Sequence, residues 1–339
     1  MNRVYLALVV PVTAIILTAI WLSDTVEPME ALYDHANCKR VLVTDQRYRA
    51  LRGIEDIALL GDGTLVLSNY NRTLKGAPAR GITTVHISEL TDDDEGAFTR
   101  AVPGLYRTFN SLSPHGIAAD RSGARLAFVN RNYEGDDATV SWGVLTPTGY
   151  EERGRWDGEG SCRANDVAWR GAELVVSVDR GSCDWSVSDL MPGAATGRVL
   201  KLGFGQEEEL LDGLAWANGI TLVDGSVVVA ETRGNRLVNL STGQTVELPG
   251  GPDNINPGPF ETQIIALHPN LFDYWLYTMQ YSDTAPSRIV AWRPDTGEVA
   301  TLFDDPFGEV FSGATSAVVW NRTLVAGSAY GDGLLVCTP

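Results

Sequence analysis

Gly53-Ile54-Glu55-Asp56-Ile57 sets an adjacent pair of carboxylates at the head of an apolar alternation. Ile57 and Leu59 continue the alternation, Gly61-Asp62-Gly63 supplies a turn, and Leu65-Val66-Leu67 returns as a second strand. Carboxylates at the start of a buried strand are costly unless a cation or strong donors meet them.

The same module recurs with other polar residues at its head. Pro114-His115-Gly116-Ile117 leads to a turn at 121–123 and then Leu126 to Val129. Asn165-Asp166-Val167 leads to Arg170-Gly171 and then Leu174 to Val178. Asn218-Gly219-Ile220 leads to Asp224-Gly225 and then Val227 to Val229. A fifth, less regular module starts at Asp253-Asn254-Ile255 and continues through Ile264 to His268 and a strand-like Trp275-Leu276-Tyr277. The sixth runs from Ala314 to Trp320, turns at Asn321-Arg322 and returns over Leu324 to Ala326. Further strand-like runs separate the modules, so each repeat holds about four short strands over roughly fifty residues. Helical periodicity is nearly absent. The pattern predicts an all-β six-bladed β-propeller.

The chain's 339 residues and 35 glycines accommodate one large turn-rich domain. Its formal charge of −17 argues against a polyanion, nucleic acid included, and leaves divalent cations and small molecules as partners. Arg3 precedes an apolar run from Val4 to Leu22, just long enough to cross a bilayer. Residues 1–24 are therefore expected to be a membrane anchor helix or an uncleaved signal, with residues 25–339 forming an extracytoplasmic propeller. A cleaved signal is the alternative. An even number of cysteines in an oxidising compartment suggests disulfides, Cys38 with Cys337 and Cys162 with Cys183. Buried free thiols are the other reading.

In a propeller the innermost strands start at one end of a central channel, so the polar heads should meet in a ring. Their side chains are nearly all oxygen donors, which suits Ca²⁺ and not zinc. Neighbouring residues of a strand point in opposite directions, so two ions resolve the dyads better than one. The first would take Glu55, Asn165, Asn218, Asp253 and Asn254. The second would take Asp56, Asp166 and a carbonyl near Ile117. The Asp253-Asn254 pair needs a turn to point both ways inward, which Gly250-Gly251-Pro252 supports. His115 is the candidate base and His268 a candidate pocket residue. Neither a Gly-x-Ser-x-Gly elbow nor a Gly-rich phosphate loop occurs.

Taken in order, Gly53-Ile54-Glu55-Asp56-Ile57, Ser113-Pro114-His115-Gly116, Asn165-Asp166-Val167, Ala217-Asn218-Gly219, Asp253-Asn254-Ile255, Leu267-His268-Pro269-Asn270 and the stretch from Ser312 to Cys337 resemble the paraoxonase/arylesterase family. The resemblance covers nearly the whole chain. It implies a propeller with two Ca²⁺ ions, one catalytic and one structural, hydrolysing lactones and aryl esters. It carries Glu55, Asn165, Asn218, Asp253 and Asn254 onto the catalytic ion, and Asp56, Asp166 and the Ile117 carbonyl onto the structural one. It also gives His115 the role of general base. In one departure, Arg131 stands where the family often has a second histidine; it would lower the basicity of His115. In another, the stretch from Gly181 to Gly197 is short where the family has a lid. Two rival readings are a gluconolactonase-type sugar-lactone hydrolase with one metal and a strictosidine-synthase-like propeller that binds a ligand without catalysis.

Overall fold

The computed structural model describes residues 26–45, 48–73, 81–91, 97–98, 100–101, 112–131, 138–146, 149–181, 183, 194–203 and 205–339. These form six four-stranded antiparallel sheets, the blades of a propeller. The innermost strands are Ile54–Leu59, Pro114–Ala119, Ala164–Arg170, Ala217–Val223, Gly251–Pro257 and Ala314–Trp320. Each coincides with a polar-headed module. Apolar side chains on the blade faces meet the next blade: Ile117, Leu126, Phe128 and Tyr150 of blade 2 pack on Ala58, Val66 and Ile82 of blade 1.

The first described strand, Cys38–Val41, is the outermost strand of blade 6. It pairs with Leu334–Cys337, with Cys38 directly opposite Cys337, and a disulfide joins them. A second disulfide joins Cys162 and Cys183. Residues 26–34 are not helical. They run along blade 5, where Leu32 and Tyr33 N–H groups donate to Thr301 and Leu302. The expected anchor over residues 1–24 lies outside the described residues, as does most of the stretch from Gly181 to Gly197. Among the described residues no helix is long and apolar enough to cross a membrane.

Two local expectations need correction. Residues 275–277 belong to a helix, Leu271–Thr278, and not to a strand. Asn270 starts it by accepting from the Phe272 and Asp273 N–H groups at 2.9 and 3.1 Å, a capping signal that overrides a short apolar run. Asp253 and Asn254 lie within a strand and not in a turn. The pairing register shifts between Pro252 and Ile255, which a β-bulge achieves without leaving the sheet.

That bulge is general. All six inner strands shift register at their polar head, from Ile54/Asp56 in blade 1 to Ala314/Ser316 in blade 6. A bulge re-aims side chains that strict alternation would send to opposite faces. Gly53 prepares the first one: its φ is +66°, and a Cβ there would lie 2.2 Å from the Tyr70 carbonyl oxygen.

Candidate metal centre

The polar heads are stitched together around the channel. Going round from blade 1, His115 Nδ1 lies 2.9 Å from Glu55 Oε1, close but off the line of a good hydrogen bond. Gly116 packs so tightly on blade 3 that a Cβ would fall 2.4 Å from Asp166 Cα. The Ile220 N–H donates to Asp166 Oδ2 at 2.8 Å, linking blades 3 and 4. Asn218 Nδ2 donates to Thr232 Oγ1, which donates to the Pro252 carbonyl at 2.7 Å, linking blades 4 and 5. Thr315 Oγ1 of blade 6 and Asn254 Nδ2 of blade 5 both donate to the Glu55 carbonyl, at 2.7 and 3.2 Å.

These contacts leave a set of bare oxygens. The side-chain oxygens of Asn165, Asn218 and Asn254 are buried and have no hydrogen-bond partner. The amide nitrogens of Asn218 and Asn254 are tethered to Thr232 and Glu55, which fixes the direction of their oxygens. A buried acceptor without a partner costs about 1–3 kcal/mol, so three cost about 3–9. That rivals the whole net stability of a domain, about 5–15 kcal/mol. Amide oxygens flanked by the carboxylates of Glu55 and Asp253 suit a hard cation of the Ca²⁺ class. Among the described residues no group of three or more His, Cys, Asp and Glu that could hold a metal ion comes together.

Charge in the ring is tightly constrained. Burial alone would raise the Glu55 carboxyl, but the Arg72 guanidinium and His115 outweigh it and hold it well below the usual carboxylate range. Arg72 Nη2 forms an ion pair with Glu55 Oε2. Burial, with help from the Arg131 charge, pushes His115 down to about 4 against the pull of Glu55, so its imidazole is neutral near pH 7. Burial raises Asp253, although His268 Nε2, 2.8 Å from its Oδ2, pulls the other way. Tyr274, on the Leu271–Thr278 helix, stacks on the His268 ring with centroids 3.6 Å apart. Arg131 donates from Nε to the Ala164 carbonyl at 2.6 Å and pairs with Asp179 at 2.7 Å, and its charge adds to the lowering of His115.

Asp56 and Asp166 form a second layer, deeper along the channel. Asp56 accepts from the Ile57 and Ile117 N–H groups and from Ser316 Oγ, at 2.8, 2.9 and 2.8 Å. Ile117 meets Asp56 through its N–H. Burial pushes Asp56 up to about 6 in spite of these donors, and raises Asp166 well above the carboxylate range, with the Asp56 charge adding to it. Beyond this layer the channel widens into a funnel of about 1100 Å³, with Asp56 and Asp166 at its base and Trp169, Trp320 and Phe260 along it. The funnel is lined by the far ends of the inner strands, so it opens away from His115 and Glu55.

Several contributors carried no obvious sequence signal: Arg72, Thr232, Thr315, Ser316 and Tyr274. Ser68 and Ser177 did carry one. They occupy the second strands of blades 1 and 3, and their Oγ atoms accept from the Asp56 and Asp166 N–H groups at 3.1 and 3.0 Å.

No family model matches the chain. No curated protein matches it. The likeness is to solved structures. One named as a candidate gluconolactonase superposes with a TM-score of 0.53 at 12% identity, over 93% of this chain and 94% of its own. A gluconolactonase of Xanthomonas campestris gives 0.50 at 16% identity, over 93% and 99%. The virginiamycin B lyase of Staphylococcus aureus gives 0.51 at 11% identity, over 89% and 99%. At such identities the likeness is one of fold: this chain is a six-bladed β-propeller similar to structures that include gluconolactonases.

Proposed function

We propose that the chain is a Ca²⁺-dependent hydrolase of lactones and aryl esters. The observation that carries this reading is the set of partnerless buried oxygens of Asn165, Asn218 and Asn254 beside Glu55 and Asp253. A dication held by these five residues would polarise the acyl oxygen and stabilise the charge that develops there. His115 is the base. It is neutral, and with Nδ1 facing Glu55 its Nε2 is the atom left to take a proton from water. Asp253, whose carboxyl is raised by burial and held by His268, is the alternative base. Asp56 and Asp166 are assigned to a second, structural ion. The disulfides suit an oxidising, extracytoplasmic compartment.

A gluconolactonase-type reading, with one metal and a sugar lactone, fits at least as well. The similarity to structures bearing that name favours it. The test is hydrolysis of an aliphatic lactone, an aldonolactone and phenyl acetate by the full chain, before and after chelation with calcium add-back. Turnover undiminished by chelation rejects the metal reading. The preferred substrate and the number of ions bound per chain separate the two hydrolases.

A further inference from the structure

Arg72 stands just past the second strand of blade 1 and reaches back into the ring. Its Nη2 pairs with Glu55 Oε2, and both side chains are nearly buried, 9% and 4% exposed. Nη1 donates to the Ala329 carbonyl at 3.2 Å. The guanidinium carbon lies 5.7 Å from the centre of the Tyr330 ring. One Glu55 oxygen is thus engaged by Arg72 and the other by His115, while three amide oxygens of the same ring have no partner.

A guanidinium and a hard dication make incompatible claims on one carboxylate. The first presents N–H groups to it; the second requires bare oxygen at about 2.3–2.6 Å. Both at Glu55 would bring like charges within a few ångströms where water screens little. We propose that Arg72 competes with the divalent cation for Glu55 and so sets the affinity of the ring. The proposal rests on the reading of the ring as a cation site. When the cation takes Glu55, Arg72 gives it up. Its contacts with the Ala329 carbonyl and the Tyr330 face do not involve Glu55, so the guanidinium keeps its anchors on the ring wall. The ring then fills only where the cation is abundant, the regime of weak extracellular calcium modules at roughly 10⁻⁴–10⁻³ M.

The experiment is calcium titration of the full chain and of the Arg72→Gln and Arg72→Lys variants, by calorimetry and by Tb³⁺ luminescence. The expected order is weakest binding in the unaltered chain, tighter in Arg72→Lys, and at least tenfold tighter in Arg72→Gln. Lysine keeps the charge but loses the planar fork, so its hold on Glu55 is looser. A residue that merely propped the ring open would give the reverse order on removal. Binding to Arg72→Gln that equals or falls below that of the unaltered chain overturns the competition while leaving the cation site standing. Binding by Arg72→Gln alone supports the competition outright. Binding by no form overturns both readings. If Arg72→Gln does not fold, Arg72→Lys decides: tighter binding supports the proposal, equal or weaker binding ends it.

Discussion

Asp56 and Asp166 perform the same task in different blades. Each carboxylate accepts the N–H of its own following residue and, with the other oxygen, an N–H from the next blade's inner strand. They act as rivets between blades 1 and 2 and between blades 3 and 4. Asp166→Ala strands two buried donors, of Val167 and Ile220. At about 1–3 kcal/mol for each, the unfolding free energy should drop by about 2 kcal/mol or more. Urea denaturation in the presence of chelator measures it without a contribution from bound cation. A change within experimental error would mean that the rivet is redundant.

Glu55→Gln tests the ring itself. It removes one of the two carboxylates among the proposed donors and leaves Arg72 buried beside an amide. Cation affinity and lactone turnover should fall together, affinity by at least about tenfold, which corresponds to about 1.4 kcal/mol. Calorimetry and a pH-stat assay on the same preparation read the two quantities. Retained turnover with lost calcium would remove the ring from the chemistry.

Gly116→Ala should be severe although it deletes nothing. The added methyl would lie 2.4 Å from Asp166 Cα and 2.6 Å from the Asn165 carbonyl oxygen. Both are backbone atoms that cannot swing aside as a flexible side chain could, so the inner strands of blades 2 and 3 must separate. A loss of about 1–3 kcal/mol or more is expected, seen as a lowered melting temperature, together with weakened cation binding. An unchanged melting temperature would contradict the close approach of these strands.

The two disulfides should differ in worth. Cys38–Cys337 closes a separation of 299 residues, and Cys162–Cys183 one of 21. Loop-closure entropy makes the longer link worth about 2 kcal/mol more. Cys38→Ser with Cys337→Ser should therefore lower the melting temperature more than the Cys162→Ser, Cys183→Ser pair. Calorimetric melting of both double variants checks the order.

The six repeats are legible in sequence because each inner strand is a short apolar run with a polar head and a turn behind it. Burial of those runs against neighbouring blades is what composition encodes most directly. The bulges are less legible. One unpaired residue has no composition of its own, and glycines such as Gly53, Gly116 and Gly219 are its visible trace. The Trp275-Leu276-Tyr277 run reads as strand by apolarity, whereas the cap at Asn270 decides for helix. Arg72 is invisible for a different reason. Its position depends on Glu55 in blade 1 and on Ala329 and Tyr330 in blade 6, across a separation of 257 residues from Ala329. A contact of that span follows from ring closure and leaves no local pattern to read.

Blade 6 takes its outer strand from Cys38–Val41 and its other three from Ala314 onward. During synthesis the earliest of these strands must therefore wait, unpaired, until the last has emerged. Blades 1 to 5 can assemble on the nascent chain, but the circle is sealed only once Leu334–Cys337 has emerged. A chain cut before Leu334 would be a toroid with a gap, its Cys38 thiol unpaired and the edge of a sheet exposed to neighbours.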